Sequence, residues 1–383
     1  MKYLYLPLIA LFLFSCSVDG DEALSSEPSD SSIDESGSGN SGASAGLVTA
    51  GEWSDLNNWD FWLELLENPE FAGMPAEWGY YTHNRLSVRV RNNAQAAANL
   101  PVVLKLENET IWAAKTDIYG KAELWISLHS PQHISDLSAY SLWVNGTRAD
   151  VELSFSEINA VELSTQVSDA NQVQIAFMVD ATASMSDELE FLKADLKDVI
   201  TRVENQNQCI NISTGSVFYR DEGDDYVVRE SPFQSDLETT INFIDRQSAN
   251  GGGDYPEAVH TALDATINNL QWSPTAESRI AFMLLDAPPH QEQEVISSIH
   301  ASVATAAQNG IKLIPIVASG IDKPTEFLMR FISITTNGTY VFITNDSGIG
   351  LDHLEPSVGQ FEVEFLNDLM VRIIEEHVGC ARF

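Results

Sequence analysis

The stretch Gln174-Ile175-Ala176-Phe177-Met178-Val179-Asp180-Ala181-Thr182-Ala183-Ser184-Met185-Ser186 decides how the second half of this chain folds. Its opening run is continuously apolar, as expected of a strand covered on both faces. It ends abruptly on an acid and two hydroxyl residues. Leu189, Leu192, Leu196, Val199 and Val203 then recur at helical spacing. A buried strand, a polar turn and an amphipathic helix make one α/β unit, and the pattern repeats downstream. Val217-Phe218-Tyr219 and Tyr226-Val227-Val228 read as a strand pair. Ser235-Asp236-Leu237-Glu238 has the form of a capping box that opens a helix through about residue 245. A helix is expected over 256–270, with Pro256 in its first turn. Strands over 280–285, 311–317 and 339–343 alternate with helices over 295–308, 325–334 and 361–377. That alternation predicts a doubly wound, mostly parallel sheet with helices on both faces, occupying 172–383.

Upstream, the period changes. Leu86, Val88 and Val90 alternate with Ser87, Arg89 and Arg91, and Val102, Leu104 and Leu106 with Val103, Lys105 and Glu107. Further short strands follow at Ala122, Leu124 and Ile126 and at Leu142 and Val144, the last before an Asn145-Gly146 turn. An N-terminal antiparallel β-sandwich over 85–165 is the expectation. Residues 52–84 hold Trp53, Trp59, Phe61, Trp62, Phe71, Trp78, Tyr80 and Tyr81. Such density could stack on sugars, but packing against a neighbouring domain is favoured because Trp and Tyr bury large areas. Residues 16–51 are Ser-, Gly- and acid-rich with little to bury, and read as a flexible linker. Residues 1–15 carry Lys2 and a short apolar run, the form of a signal peptide and too short to span a bilayer.

The chain holds 20 basic and 56 acidic residues, a formal charge of −36, and no Lys or Arg falls between Lys2 and Arg85. Repulsion from phosphate makes nucleic acid or an anionic membrane surface a poor partner. The cysteines, Cys16, Cys209 and Cys380, lack zinc-site spacing and are too few for a disulfide scaffold.

In open α/β sheets ligands bind beyond the carboxyl ends of the strands. Asp180, Thr182 and Ser184 follow the first strand. Tyr219-Arg220-Asp221-Glu222-Gly223-Asp224-Asp225 lies between the second and third. Gly251-Gly252-Gly253-Asp254-Tyr255-Pro256-Glu257 precedes a helix, and Asp286-Ala287-Pro288-Pro289-His290 follows the fourth strand. Hard oxygen donors without cysteine suit Mg, Mn or Ca rather than zinc. A hydrolase is the competing reading, with His260 and His290 beside the crevice. Residues 172–383 contain neither a Gly-x-Ser-x-Gly elbow nor His-Glu-x-x-His, which favours structural histidines and no enzyme activity.

Asp180-x-Thr182-x-Ser184 resembles the first segment of the metal-ion-dependent adhesion site of von Willebrand factor A domains. The Tyr-Arg-Asp, Gly-Gly-Gly-Asp-x-Pro-Glu and Leu-Leu-Asp-Ala-Pro-Pro-His segments are most similar to the hemicentin-type branch. The resemblance implies a divalent cation held by Asp180, Thr182, Ser184 and Asp286, with one position open for a carboxylate from a protein ligand. The family's Gly-Gly-Thr loop is here Gly252-Gly253-Asp254, so Asp254 is expected either as a ligand or as the cap of the following helix. An empty site on a structural spacer is a further alternative. The strand Val-Val-Leu-Lys-Leu followed by Thr-Asp-x-x-Gly-x-Ala resembles carboxypeptidase regulatory-like (transthyretin-like) modules. Leu13-Phe14-Ser15-Cys16 resembles a bacterial lipobox, which implies lipidation of Cys16 and a membrane-anchored envelope protein. In related domains the first and last helices are neighbours, which implies a disulfide between Cys209 and Cys380.

Overall fold

The structure, a computed structural model, describes residues 43–164 and 172–378. Strand β1, Thr49–Trp53, begins inside the stretch expected to be linker and runs into the aromatic segment. Its Ala50 and Trp53 and the preceding Val48 are buried, and Gly51 lets two aromatics close over the backbone. A Cβ there would meet Phe342 Cζ at 2.6 Å and Phe361 Cδ2 at 2.8 Å. Helices α1, Trp59–Glu67, and α2, Met74–Trp78, follow. Trp62 is fully buried against Phe327 and Phe331, with ring centroids 5.8 and 5.2 Å away. The Trp78 Nε1–H donates to the Pro324 carbonyl at 2.8 Å. The aromatic segment is therefore packing material for the second half of the chain.

Next come β2, Arg85–Asn92, β3, Gln95–Ala96, β4, Pro101–Leu106, β5, Glu109–Lys115, β6, Lys121–Trp125, β7, Tyr140–Val144, β8, Thr147–Arg148, and β9, Asn159–Leu163. They form two four-stranded sheets, β3-β2-β6 with β9 on β2, and β5-β4-β7-β8. The alternating residues of β2 and β4 face one apolar cluster that also takes in Ala122, Leu124, Leu142 and Val144. Every pairing is antiparallel except β2 with β9, which run parallel.

The remaining strands are β10, Gln172–Asp180, β11, Asn211–Tyr219, β12, Val228–Gln234, β13, Ser278–Leu285, β14, Ile311–Val317, β15, Tyr340–Ile343, and β16, Val363–Phe365. With β1 they make one eight-stranded sheet, ordered β12-β11-β10-β13-β14-β15-β1-β16. Strands β11, β10, β13, β14 and β15 are parallel neighbours, whereas β12, β1 and β16 pair antiparallel. The architecture is mixed α/β around a large, mostly parallel sheet. Successive residues of β10 point to opposite faces. Ile175, Phe177 and Val179 join the cluster that includes Leu192, Leu196 and Met370, and Ala176 and Met178 join the one that includes Val259, Val303 and Phe331.

The helices are α3, Leu189–Gln206, α4, Leu237–Asp245, α5, Val259–Asp264, α6, Gln293–Asn309, α7, Lys323–Thr335, and α8, Leu366–Glu376. Two depart from the sequence expectation. The helix expected from Pro256 starts at Val259 and continues beyond Asp264 as a π-helical turn, Ala265–Asn269. The expected capping box is replaced by Asp236 as N-cap, with no side-chain cap bond to the backbone. No helix among the described residues is long and apolar enough to cross a membrane.

Candidate metal centre

From β10 the chain crosses to β11 on one side of the sheet and later to β13 on the other. Connections diverge at this switch point and leave a crevice beyond the strand ends. Asp180 ends β10 and is fully buried. Its Oδ1 accepts the Thr182 N–H at 2.8 Å and the Thr182 Oγ1–H at 2.7 Å, which folds the loop into a tight turn. The Thr182 and Ser184 hydroxyl oxygens stand 2.9 Å apart. Thr182 is fully buried and Ser184 is exposed, so the group opens to solvent at Ser184. Asp286, just past β13, is 5% exposed.

The glycine loop is bound to this group through its backbone. The Ala183 N–H donates to the Gly251 carbonyl at 3.1 Å, and the Asn250 N–H to the Ala181 carbonyl at 3.0 Å. The Gly252 N–H donates to Asp224 Oδ2 at 2.7 Å. Gly252 has φ +67°, and a Cβ would lie 2.8 Å from Glu257 Oε1 and 3.2 Å from Thr182 Cβ, so only glycine fits. Arg220, 4% exposed, donates from Nε to the Ala181 carbonyl at 3.2 Å and from Nη2 to the Ser248 carbonyl at 2.9 Å. It is thus a clamp on two loops.

Asp254 is exposed and does not join the group. It caps no helix either, because α5 begins after Ala258. The buried carboxylate from this loop is Glu257, 3% exposed, whose N–H donates to the Pro288 carbonyl at 2.9 Å. Glu257 closes the Gly251–Glu257 loop segment, and its burial follows from a helix that starts only at Val259. Glu188, 1% exposed, is a further buried carboxylate that no motif in the sequence marks. Its Oε1 accepts the Ser319 N–H at 3.2 Å. His290 Nε2 lies 3.1 Å from Asp221 Oδ1, and His260 Nε2 lies 3.3 Å from the Thr261 hydroxyl. The chain's one Gly-x-Ser-x-Gly match, Gly42-Ala43-Ser44-Ala45-Gly46, lies ahead of β1 and is not on a strand-to-helix turn.

Four carboxylate oxygens here, Asp180 Oδ2, Asp286 Oδ1, Glu257 Oε2 and Glu188 Oε2, are buried with no hydrogen-bond partner. Burial and neighbouring negative charge hold the Asp180 and Asp286 carboxyls above the usual aspartate range. The Thr182 bonds partly offset this for Asp180 and the Ser184 hydroxyl for Asp286. Burial, and then the charges of Asp180, Asp221, Asp286 and Asp224, push Glu257 up to about 9. An unpaired buried carboxylate is costly unless it is protonated or meets a cation. Among the described residues no three His, Cys, Asp or Glu side chains form a ready-made metal cage. The donors available at the crevice are two aspartates and two hydroxyls, a set that fits a hard cation completing its shell with water. Cys209 is disulfide-bonded. Cys16 and Cys380 lie outside the described residues.

Two curated proteins show similarity. The chain is 25% identical over 238 residues to the alpha-protein kinase vwkA of Dictyostelium discoideum, covering 61% of this chain and 36% of that protein. It is 32% identical over 137 residues to the ariadne-like RING finger protein R811 of Acanthamoeba polyphaga mimivirus, covering 35% of this chain and 13% of that one. The chain thus spans little of either relative's length. Among solved structures, BatB from Bacteroides thetaiotaomicron aligns at 14% identity and TM-score 0.38, covering 54% of this chain and 98% of that one. An aerotolerance-related membrane protein from Bacteroides fragilis aligns at 15% and 0.34, covering 53% and 98%. The von Willebrand factor A domain family model matches residues 174–348, and with the switch-point site this stretch is a von Willebrand factor A domain.

Proposed function

We propose that the A domain binds a divalent cation and uses it to hold a carboxylate of a protein partner. Asp180, Thr182, Ser184 and Asp286 would hold the ion, and Glu257, neutral near pH 7 without the ion, would lose its proton beside them as the ion binds. The observation that carries this reading is the pair of buried, unpartnered oxygens, Asp180 Oδ2 and Asp286 Oδ1, beside two hydroxyls that reach solvent at Ser184. A bound cation would supply positive charge that neutralises these oxygens and attracts an incoming anion. The bonds of Thr182 and of the glycine loop would keep these oxygens in place before the ion arrives. The protein is a binding module and not an enzyme in this reading. Cys16 would carry a lipid that anchors it to a bacterial envelope, and the two four-stranded sheets would serve as an accessory carboxypeptidase regulatory-like module. Calorimetric titration with Mg, Mn and Ca tests the cation site. Retention of surface-extract proteins with and without EDTA tests its use. Loss of heat in Asp180→Asn and Asp286→Asn together with EDTA-sensitive retention is expected. EDTA-insensitive retention would overturn the adhesive role.

A further inference from the structure

A second polar cleft lies away from the A-domain crevice, where the start of α1 meets the outer face of β2 and β6. Its volume is about 280 Å³, at the small end of ligand pockets. Trp59 and Phe155 line it together with Ser87, Asn57 and Asn337. Its lining includes Arg89 and Lys121, which are cross-strand partners in the β2–β6 register, and at its exposed edge Glu157, which pairs with neither. Like charges directly opposite each other destabilise a sheet. This chain has 56 acidic residues with which to neutralise such a pair, yet among the described residues neither side chain forms an ion pair. Arg89 Nε is also buried without a hydrogen-bond partner. The neighbouring Arg85 is different. It is tied to Glu123 at 2.8 and 3.1 Å and lies over the Trp59 ring at 4.4 Å, so its charge is already used. Glu123 is satisfied by Arg85 and by the Ser87 hydroxyl, and is thus unavailable to Arg89.

An Arg–Lys pair lining a cleft without an ion-pair partner calls for an oxyanion. The walls narrow the choice. Aromatic edges with amide and hydroxyl groups around them suit a ring with apolar faces and several hydroxyls. We propose that this cleft binds an anionic sugar residue, its carboxylate, sulfate or phosphate on Arg89 and Lys121 and its ring against Trp59 and Phe155. The inference does not depend on the cation site.

The test uses the full chain in EDTA, which silences the A-domain crevice, with saturation-transfer NMR and calorimetry. The probes are glucuronate, glucose 6-sulfate and glucose 6-phosphate, with glucose as the neutral control and a tetraglutamate peptide as the protein-like anion. The expected result is binding of one or more anionic sugars at least tenfold tighter than glucose, weakened by salt. Arg89→Gln and Lys121→Gln should each lower that affinity about tenfold, whereas Lys105→Gln on β4 should leave it unchanged. Both cleft variants should melt at or above the wild-type temperature, because each removes the like-charge pair, so lost binding cannot be ascribed to unfolding. The arm that binds best distinguishes carboxylate from sulfate or phosphate. No saturation transfer from any anionic sugar would overturn the proposal. So would undiminished binding in Arg89→Gln, or tetraglutamate binding more tightly than every sugar.

Discussion

Asp55, two residues beyond β1, and Arg330, in the middle of α7, form a two-point ion pair in which both side chains are 0% exposed. Arg330 Nη2 donates to Asp55 Oδ1 at 2.6 Å and Nε to Oδ2 at 2.9 Å. Trp53 Nε1 donates to the same carboxylate at 2.9 Å, and Arg330 Nη1 reaches the Ser357 carbonyl at 2.8 Å. The segment before the small sheets is thereby locked into the A domain. Arg330 Nη1 also meets the buried Glu326 carboxylate at 3.3 Å, so Asp55→Ala removes the two-point partner of a buried guanidinium and leaves the weaker one, and should cost about 3–5 kcal/mol. Replacing both residues by apolar ones should cost much less. Denaturant unfolding of the single and double variants measures the difference, and an Asp55→Ala loss under 1 kcal/mol would remove the lock.

The placement of Glu257 and Asp254 separates two accounts of the cation site. Glu257 is buried beside Asp180 and Asp286, whereas Asp254 faces solvent. Glu257→Gln should weaken cation binding by about tenfold or more, as the loss of charged support near a site does. Asp254→Ala should change it less than about twofold. Titration calorimetry of both variants checks this, and the reverse order would return Asp254 to the site.

Without a cation, Asp286 is destabilised first by burial and then by the negative charge of Asp180 beside it, both of which raise its carboxyl. Asp286→Asn should therefore raise the melting temperature in EDTA at pH 8 while abolishing the stabilisation that cation gives. Wild type at about 100 times the dissociation constant should gain about 2.7 kcal/mol. A variant that melts lower than wild type in EDTA would mean that Asp286 is held by something other than this repulsion.

The strand-end acids and hydroxyls were legible because strand period and loop position together place Asp180, Thr182, Ser184 and Asp286 at one crevice. Glu257 was not, because the Pro256 signal places a helix start there, whereas the helix begins at Val259 and leaves Glu257 in a loop, where no periodicity says which side chain is buried. Strand β1 was also hidden. Its partners are residues 340–343 and 363–365, and no local pattern in a Ser- and Gly-rich stretch reports such distant pairing. The cross-strand Arg89–Lys121 pair likewise needs a register that alternation alone does not give.

His129 and His300 stack with ring centroids 3.8 Å apart and accept no charge cheaply. His129 Nδ1 lies 2.9 Å from the Gly79 carbonyl and His300 Nε2 lies 2.8 Å from the Trp78 carbonyl. Burial lowers both, and with His129 alongside, His300 falls to about 4. A lowered folded value means that the unfolded chain takes up protons first. The stability associated with neutral His300 is therefore complete above about pH 6.5 and is lost as pH falls toward 4. The raised carboxyls of the crevice act in the opposite sense, so the comparison must be with a variant. His300→Gln should melt less steeply with acid than wild type between pH 6.5 and 4. Parallel profiles would show that this stack does not govern acid sensitivity.

Cys209 is disulfide-bonded, and the chain offers only Cys16 and Cys380 as partners. If Cys16 carries a lipid, its sulfur is already in a thioether, which leaves Cys380. The helices that precede the two remaining cysteines are neighbours. Asn367 Nδ2 of α8 donates to Asp198 Oδ2 of α3 at 2.7 Å, and Arg202 Nη1 of α3 to Asp368 Oδ1 at 2.7 Å. A bridge between residues 209 and 380 would tie the end of α3 to the last segment of the chain and restrain α8. In the chain-entropy picture so long a loop is worth about 5 kcal/mol, an upper figure because strain subtracts from it. Peptide mapping of the unreduced protein should yield one cross-linked fragment joining these two positions. Cys380→Ser should then leave a free thiol at 209 and lower stability by a few kcal/mol, on the order of the value lost when a native bridge is removed. A fragment joining 16 to 209 would overturn both the lipid anchor and this pairing together, since one sulfur cannot serve in both.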